Sequence, residues 1–521
     1  MINHPHSVAI IGAGPGGLAA AILLASRGAR VHIYESLARV GGRTSRLSLP
    51  SPMGDFHFDR GPTFFLMPYV LEEIFHAAGR KLTDYAQLTR LDPMYRLVIG
   101  RPGTSPLTLD TTQDLAEMHR RLAAISPHDA HGFDRFIADH RRKLEVFTPV
   151  LRSPFRSPAD LASLDMIKAL PWLRPHQSLH DLLQGYFKDP SIELAMSFQA
   201  KYLGMSPYDC PSLFSILPFI EYEYGVWHPH GGCNALMTAM AAVASDLGVQ
   251  IHTSSPVSRL HFQDRRAVAV ETPAGMHQHD HIVMNADASW AIKSLIPESL
   301  RQGTRESDQK LDAMKYSCST FMLYLGLRDR LDLPHHTIRV SSRYRENLDD
   351  IAQGRLSTEP SFYVCNSAAT DSSLAPPGMS SLYVLVPTPN LKSGAIDWAN
   401  NTGHVREQTL DAVSSLAGRD IRPLIAAEKV ITPQDWQASN INFGATFNLA
   451  HNLTQMLFLR PQHQLPCTDN VWLVGGGTHP GSGLPVIFLS SQITARLLAD
   501  RMGLPASTPS RTDAAPEPAF A

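Results

Sequence analysis

Residues 8–43 read VAIIGAGPGGLAAAILLASRGARVHIYESLARVGGR, a pattern that predicts two strands joined by a glycine-rich turn and a helix. The apolar run at residues 7–11 is typical of a buried parallel strand. Apolar residues then recur at helical spacing over residues 18–27, and Gly28 is expected to end the helix. A second strand is predicted at residues 31–34. Together these elements predict a βαβ unit of the kind that binds nucleotides.

The turn carries the pattern GxGxxG at Gly12, Gly14 and Gly17. Gly12 permits the tight turn, Gly14 lets backbone N–H groups approach a pyrophosphate, and Gly17 lets the helix lie close to the strand. The phosphates would lie at a helix N-terminus, where free N–H groups and the helix dipole favour negative charge. Pro15 and Gly16 are expected to belong to the same site.

Glu35 follows the second strand, eighteen residues after Gly17, where a carboxylate can accept both ribose hydroxyls of an adenosine. An ordinary glycine-rich turn would account for the glycines but not for Glu35. Gly41, Gly42 and Arg43 extend the motif to a form that resembles FAD proteins of the glutathione-reductase and amine-oxidase type. This resemblance favours FAD over NAD as the cofactor.

Residues 59–63 read DRGPT and predict a tight turn. The functional interpretation is that the backbone at Gly61, Pro62 and Thr63 passes close to the flat isoalloxazine ring, and a plain loop is the alternative. Val257, at the start of a predicted strand, is expected to be a further cofactor contact.

A second strand, glycine turn and helix is predicted near the end of the chain. A buried strand at residues 471–474 leads into a glycine-rich segment and then a helix from about residue 484 to 502. A helix N-terminus directed at the flavin would stabilise the negative charge that arrives with hydride. The cofactor contacts expected here are Gly476, Gly477, Gly483 and Leu484.

Length and composition limit the classes of protein. A chain of 521 residues is too long for one ordinary core, so two domains are expected. A formal charge of −2, with 43% hydrophobic and 18% charged residues, indicates a soluble globular protein and makes nucleic acid an improbable partner. The five scattered cysteines form no CxxC pair, so neither a disulfide framework nor a metal site is predicted, and a reducing, cytoplasmic setting fits.

Further strands are expected in two groups. Those at residues 249–253, 257–262, 267–272 and 281–284 would return the chain to the first domain, and those at residues 317–327, 362–365, 382–387 and 443–447 suggest a second sheet. The sequence HQHDH at residues 277–281 could bind a metal, but a solvated hairpin turn is the preferred interpretation.

Residues 110–225 are expected to be mostly helical. Within them, residues 147–187 combine apolar residues with dispersed positive charge, a combination that suits a helix lying in a membrane interface. Two ordinary amphipathic helices are the alternative. The apolar residues are Phe155, Leu161, Leu164, Ile167, Leu170, Trp172 and Leu173, and the basic residues are Arg152, Arg156, Lys168 and Arg174.

Beside the nucleotide motif, three blocks of sequence resemble the phytoene-desaturase family, the bacterial and fungal FAD-dependent carotenoid desaturases of the amine-oxidase-like superfamily. They are residues 59–63, residues 221–232 (EYEYGVWHPHGG) and residues 474–481 (VGGGTHPG), so the resemblance covers nearly the whole chain. In two departures, Cys233 stands where small or hydroxyl residues are usual and Gly476 replaces a common alanine. Both put the choice of substrate, more than the fold, in question.

The resemblance implies desaturation of a long, uncharged polyene, such as phytoene or diapophytoene, by hydride transfer to FAD and loss of a proton. It also implies a substrate drawn from the membrane and moves the interpretation of residues 147–187 towards membrane contact. Glu221, within an aromatic stretch, is the candidate base. A structural carboxylate that caps the Gly225 turn or is held by an arginine is the alternative.

Other functions stay open at this point. They are a related polyene oxidase or saturase, an oxidoreductase for hydroxylated isoprenoids, a flavin amine oxidase, and a non-enzymatic isoprenoid lipid carrier of the GDP-dissociation-inhibitor type. The carrier would hold no flavin, whereas Glu35 and Gly41-Gly42-Arg43 favour one. C30 and C40 substrates, and the oligomeric state, are not distinguished.

The expected fold is α/β, with a Rossmann-type FAD-binding domain and a discontinuous α+β substrate domain that contains a mixed sheet and a helical, membrane-facing part. The FAD-binding domain is assigned to residues 1–100, 225–300 and 465–504, and the substrate domain to residues 101–224 and 301–464. Residues 505–521 are expected to form a disordered tail. The expected location is cytoplasmic, with peripheral association at the inner face of the cell membrane.

Overall fold

The computed structural model describes residues 6–394 and 396–505. The tail predicted at residues 505–521 therefore lies, apart from Pro505, outside the described residues. The described part contains alternating strands and helices as well as a run of strands over residues 250–284 and a run of helices over residues 115–224.

The strands are β1 (Ser7–Ile11), β2 (Arg30–Tyr34), β3 (Arg46–Leu49), β4 (Phe56–Asp59), β5 (Leu88–Arg90), β6 (Tyr95–Ile99), β7 (Leu107–Thr111), β8 (Trp227–Pro229), β9 (Gln250–His252), β10 (Arg259–Gln263), β11 (Arg266–Thr272), β12 (Gly275–Gln278), β13 (His281–Met284), β14 (Ser319–Leu327), β15 (His336–Val340), β16 (Phe362–Asn366), β17 (Ser380–Thr388), β18 (Ile425–Ile431) and β19 (Val471–Leu473).

The α-helices are α1 (Pro15–Ala25), α2 (Pro68–Ala77), α3 (Leu115–Ala123), α4 (Pro127–Leu151), α5 (Leu164–Leu173), α6 (Leu179–Leu183), α7 (Pro190–Ala195), α8 (Ile216–Tyr224), α9 (Cys233–Asp246), α10 (Ala288–Leu295), α11 (Glu298–Arg301), α12 (Asp308–Ala313), α13 (Tyr344–Ala352), α14 (Trp398–Ala417), α15 (Pro433–Ala438) and α16 (Leu484–Met502).

The first sheet is parallel and has the strand order β19-β13-β1-β2-β9. β1 lies at its centre and is buried along its whole length because both faces of the sheet are covered. Helices α1, α9 and α16 pack on one face, and α10 with the antiparallel meander β10-β11-β12 packs on the other. The predicted Rossmann-type fold is confirmed, and segments from the start, the middle and the end of the chain build it.

The second sheet has the strand order β18-β14-β17-β16-β15-β6-β7. β15 and β6 run parallel and the other neighbouring strands run antiparallel, so the predicted mixed sheet is confirmed. Apolar residues of α14 cover one face of the sheet. The opposite face packs against the β3-β4 hairpin of the first domain. A boundary at residue 100 would separate β6 from β7, which are hydrogen-bonded neighbours in this sheet.

The predicted strand at residues 443–447 is wrong. Asn442–Gly444 form a 3₁₀ turn, and Phe443 (φ +54°) and Gly444 (φ +63°) have left-handed backbone conformations that interrupt any strand. The segment is a loop whose Thr446 carbonyl reaches the predicted cofactor site.

The solvated turn predicted at residues 277–281 is also wrong. His277 lies in β12, and His279 and His281 are buried. His279 fits between the Ser7 hydroxyl (2.7 Å) and the Tyr34 hydroxyl (3.0 Å), and burial lowers its pKa to about 4. His277 and His279 pack against residues of the central strands β1 and β2. The alternation of histidines with other residues in this short segment could not indicate such a tertiary contact.

Helices α3 to α8 and short 3₁₀ turns fill most of the stretch between the strands β7 and β8, as the sequence predicts. Across the described ranges, no helix has the length and apolar character needed to cross a membrane.

Candidate functional site

The glycine turn lies between β1 and α1, with Pro15 as the first helical residue. Its geometry requires glycine: Gly12 has φ +99°, and a β-carbon at position 17 would lie 2.1 Å from the carbonyl oxygen of Gly12. Asn285, which follows β13, donates from Nδ2 to the same oxygen at 3.1 Å. The first-turn N–H groups of α1 have no acceptor within the helix and can bind a pyrophosphate.

Asn285 was not identified from the sequence. Asn285 follows β13, a strand adjacent to β1. Because ligands of parallel sheets bind at the carboxyl ends of the strands, this position could have indicated a role for Asn285 in the site.

Glu35 is 4% exposed and lies at the carboxyl end of β2. Its carboxylate accepts backbone hydrogen bonds from Ala13 (2.7 Å) and Leu37 (2.8 Å). The Ser36 hydroxyl also donates to Oε1 at 3.2 Å, so one of about four acceptor positions is free, and rotation of that hydroxyl would free a second one for the two ribose hydroxyls. Val257 lies nearby, since the N–H of Ser255 donates to the carbonyl oxygen of Glu35 at 2.7 Å. The structure therefore brings the segment that contains Val257, a predicted cofactor contact, close to Glu35.

Gly41, Gly42 and Arg43 lie beside the glycine turn. The N–H of Gly41 donates to the Ala13 carbonyl oxygen at 2.8 Å. The guanidinium group of Arg43 crosses to the loop that precedes the last strand and donates to the Thr446 carbonyl oxygen (2.8 Å) and to Asn448 Oδ1 (3.3 Å).

Residues 61–63 pass directly over Arg43. A β-carbon at position 61 would lie 2.6 Å from the Arg43 carbonyl oxygen, so only glycine fits there. After Pro62, the hydroxyl of Thr63 is hydrogen-bonded to the hydroxyl of Tyr363 at 2.7 Å. This contact joins the predicted ring end of the cofactor site to the second sheet.

The glycine-rich segment at residues 475–483 lies close to Asn448, which also contacts Arg43. The carbonyl oxygen of Gly476 accepts a hydrogen bond from the buried Arg460 at 2.8 Å, and Gly477 packs against Ala288. Gly483 and Leu484 begin α16, and no atom lies within 4 Å of where a β-carbon of Gly483 would be.

Helix α16 is tied to α1, since the hydroxyl of Ser491 donates to the Gly16 carbonyl oxygen at 2.9 Å. The structure thus brings the predicted residues together along one extended path, in the order expected for an adenosine end, a phosphate turn and a ring end. This arrangement fits FAD.

Glu221 lies in α8 and is fully buried, and among the described residues no arginine is hydrogen-bonded to its carboxyl group. Its Oε2 accepts hydrogen bonds from the Tyr95 hydroxyl (2.8 Å) and from Gln199 Nε2 (3.0 Å). Burial raises the pKa of Glu221 to about 7 although these hydrogen bonds favour the charged form. The Gly225 turn is closed by the backbone carbonyl of Glu221, so the side chain is not its cap.

An aromatic wall connects Thr63 to the region of Glu221. Phe64 stacks on His336 with ring centroids 4.0 Å apart. Its ring centroid lies 5.5 Å from that of Tyr363, 5.4 Å from Tyr202 and 6.1 Å from Tyr95. The sequence did not identify Tyr95, Gln199 or Tyr202 because β6 and the 3₁₀ segment Phe198–Leu203, which supply them, carry no motif.

Asp59 joins two of the blocks that carry the family resemblance. Its carboxylate accepts from the N–H groups of Cys233 (3.0 Å) and Asn234 (3.1 Å) at the N-terminus of α9. Burial raises the pKa of Asp59 to about 6. In the same region His228 Nε2 lies 3.2 Å from Asp371 Oδ2, which also accepts from the N–H of Gly231 at 2.6 Å.

Helix α5 presents an apolar face to solvent. Leu164, Ile167 and Leu170 are 75%, 51% and 55% exposed, whereas Met166 and Ala169 pack inward. The basic side chains of Arg156, Lys168 and Arg174 are exposed nearby. Phe155, an expected membrane anchor, is instead buried, with its ring centroid 5.1 Å from that of His479. The exposed apolar residues of α5 are called the α5 face below.

Comparison with known proteins gives consistent results. The family model described as flavin containing amine oxidoreductase matches residues 15–499. A 4,4'-diapophytoene desaturase (4,4'-diapolycopene-forming) of Methylomonas sp is 42% identical over 506 residues, covering 96% of each chain. An all-trans-zeta-carotene desaturase of Myxococcus xanthus is 39% identical over 503 residues, covering 95% of this chain and 94% of the relative. The crystal structure of an oxidoreductase from Methanosarcina mazei shares the fold, with a TM-score of 0.61 at 17% identity over 93% of this chain and 98% of that one.

Proposed function

Because this chain belongs to the flavin-containing amine oxidoreductases, and among them to the carotenoid desaturases, we propose that it is an FAD-dependent desaturase that introduces double bonds into a long polyene of carotenoid biosynthesis. The observation that carries the proposal is the continuity from the ring end of the cofactor site, through Thr63 and Phe64, to the buried carboxyl group of Glu221. An aromatic wall suits an uncharged polyene, which needs no polar partner along its length.

Bound FAD would supply the acceptor for a hydride from an allylic carbon. Arg43, residues 61–63 and the start of α16 would hold and orient it, and the glycine turn with Glu35 would bind its phosphates and ribose. The chain's own contribution to chemistry is then to exclude water, position the polyene and remove a proton.

Glu221 is the proposed proton acceptor. At a pKa of about 7, a large fraction of this carboxyl group is ionised near neutral pH, and its basicity exceeds that of an ordinary glutamate. Tyr95 and Gln199 both donate to Oε2, which leaves Oε1 to take the proton. The carbon atom then keeps the electron pair of its C–H bond as the new double bond.

The substrate would reach this site from a membrane. The α5 face offers apolar side chains beside basic ones, as interfacial helices do. We place the protein at the inner face of the cell membrane as a peripheral, cytoplasmic protein.

The proposal is tested by supplying the purified protein with FAD and liposomes that contain phytoene or diapophytoene. We expect products with longer conjugated systems, which absorb at longer wavelengths. If both polyenes are returned unchanged while an amine is oxidised with release of hydrogen peroxide, the protein is an amine oxidase. A purified protein that binds a polyene but no flavin would be a lipid carrier.

A further inference from the structure

Three buried side chains in or next to the second sheet converge near the cofactor site, and none of them is a predicted cofactor contact. His336 and Cys365 are directly opposite each other in the antiparallel pair β15-β16, so their side chains share one face of the sheet. His335 precedes β15, and its carbonyl oxygen accepts from the N–H of Asn366 at 2.8 Å. The backbone therefore fixes all three positions.

The ligand-type atoms of this cluster face one another. One ring nitrogen each from His335 and His336 and the sulfur of Cys365 all lie within 4.8 Å of one another. Tetrahedral zinc, with bonds of about 2.0 to 2.3 Å, holds its ligand atoms roughly 3.3 to 3.6 Å apart. A contraction of at most about 1.2 to 1.5 Å between these atoms would form the site.

The hydrogen bonds of the two histidines favour this role. His335 Nδ1 lies 2.8 Å from the Thr370 hydroxyl, and His336 Nδ1 lies 2.6 Å from the Tyr363 hydroxyl. Nε2 of both rings is buried and has no hydrogen-bond partner in the described part of the chain. With the proton on Nδ1, each Nε2 presents a lone pair, which is the arrangement of metal-binding histidines held by an outer hydrogen bond.

The surroundings favour a cation. The carboxyl group of Asp59 lies close enough to interact electrostatically with the Cys365 sulfur. His228, paired with Asp371, has its ring centroid 4.6 Å from that of His335. A metal ion would take the thiol proton's place and balance nearby negative charge.

We propose that His335, His336 and Cys365 form a binding site for a thiophilic divalent cation, and the two-nitrogen, one-sulfur donor set fits Zn²⁺. Three protein ligands leave the fourth tetrahedral position to water. Tyr363 bonds both His336 and Thr63, so the ion would also fix the hydroxyl that holds the FAD-binding loop. The proposal does not depend on the desaturase activity.

The test measures zinc per chain in the FAD-loaded protein, incubated with ZnCl₂ and freed of excess metal. His119, His131 and Asp134 form a second, exposed cluster that could bind zinc, so every protein carries His131→Ala. We expect about one zinc per chain, lost in Cys365→Ser and in His336→Gln. Cys210→Ser, which removes another buried free cysteine, is the matched control and should retain the zinc.

A milder variant guards against misfolding. Thr370→Val removes only the outer hydrogen bond of His335 and should weaken zinc binding about 10- to 100-fold in a competition with a chromophoric chelator. Co²⁺ bound in place of zinc should add a thiolate-to-metal absorption band that Cys365→Ser lacks. The proposal is overturned if the parent protein retains no zinc above background, or if Cys365→Ser retains as much as the parent.

Discussion

The hydroxyl of Ser491 donates a 2.9 Å hydrogen bond to the carbonyl oxygen of Gly16, which joins the last helix to the first turn of α1. The phosphate turn and α16, whose first residues lie at the predicted ring end of the FAD site, are therefore joined directly. Substitutions in these two segments should change cofactor affinity before they change chemistry.

Glu35→Ala should weaken FAD binding. The variant loses a charge-assisted pair of ribose hydrogen bonds, and the expected loss is on the order of 1.5 to 3 kcal/mol. Titration of the FAD-free protein, followed by quenching of flavin fluorescence, measures it. Glu145→Ala, on the exposed surface of α4, is the control. An affinity for FAD that is unchanged in Glu35→Ala would refute the ribose assignment.

Substitutions of Asn285 test its hydrogen bond to the Gly12 carbonyl oxygen, a contact that could not be predicted from the sequence. Asn285→Ala removes the donor to the Gly12 carbonyl and should weaken FAD binding by roughly 1 kcal/mol. Asn285→Asp should weaken it more, because a carboxylate would face both that carbonyl oxygen and the pyrophosphate. The same fluorescence titration compares them, and equal affinities for the two variants would contradict the placement of the phosphates.

Glu221→Gln should slow anaerobic flavin reduction by the polyene. A positioned general base contributes about 10²- to 10⁴-fold, and the amide cannot take a proton. FAD affinity should be unchanged. A loss below about threefold, far under that range, would make Glu221 a structural residue.

The pH dependence of flavin reduction gives an independent test of Glu221. Because the carboxylate is the active form and its pKa is about 7, the rate should rise with pH through that value. Tyr95→Phe removes a hydrogen bond to the charged form, which raises the pKa further, so the midpoint of the profile should move to higher pH. A midpoint that stays in place or falls would show that another group titrates.

Membrane binding should depend on the α5 face. Replacing Leu164, Ile167 and Leu170 with Ser removes exposed apolar side chains and should release the protein from anionic liposomes while FAD stays bound. Co-sedimentation measures this. Met276→Ser with Leu453→Ser, at exposed apolar positions elsewhere, is the control. If the α5 variant still sediments with liposomes, the contact lies elsewhere.

The first domain could be predicted well because its signals are local. The strand at residues 7–11, the glycine turn and Glu35 lie in one short segment, and their roles follow from a geometry that is the same in any βαβ unit. The second sheet was also found, since β14 and β17 are long and almost fully buried.

Contacts between distant segments could not be predicted. Nothing in the sequence pairs Glu221 with Tyr95 and Gln199, which lie on other elements. Phe155 looked like its apolar neighbours, and its burial against His479 depends on tertiary packing. The loop at residues 443–447 has a strand-like composition, but the left-handed backbone conformation of Phe443 prevents an extended strand there.

The order of strands in the first sheet has a consequence for how the protein is made. β1 and β2 leave the ribosome early, but β13 comes from the middle of the chain and β19 with α16 from its end. Until those segments are synthesised, one edge of β1 lacks its neighbouring strand and the apolar face of α1 lacks its covering helix. Stable cofactor loading is therefore expected only after β19 and α16 have emerged from the ribosome. The nascent chain carries exposed apolar surface throughout its synthesis, so the yield of active protein should depend on chaperones and on the supply of flavin at release.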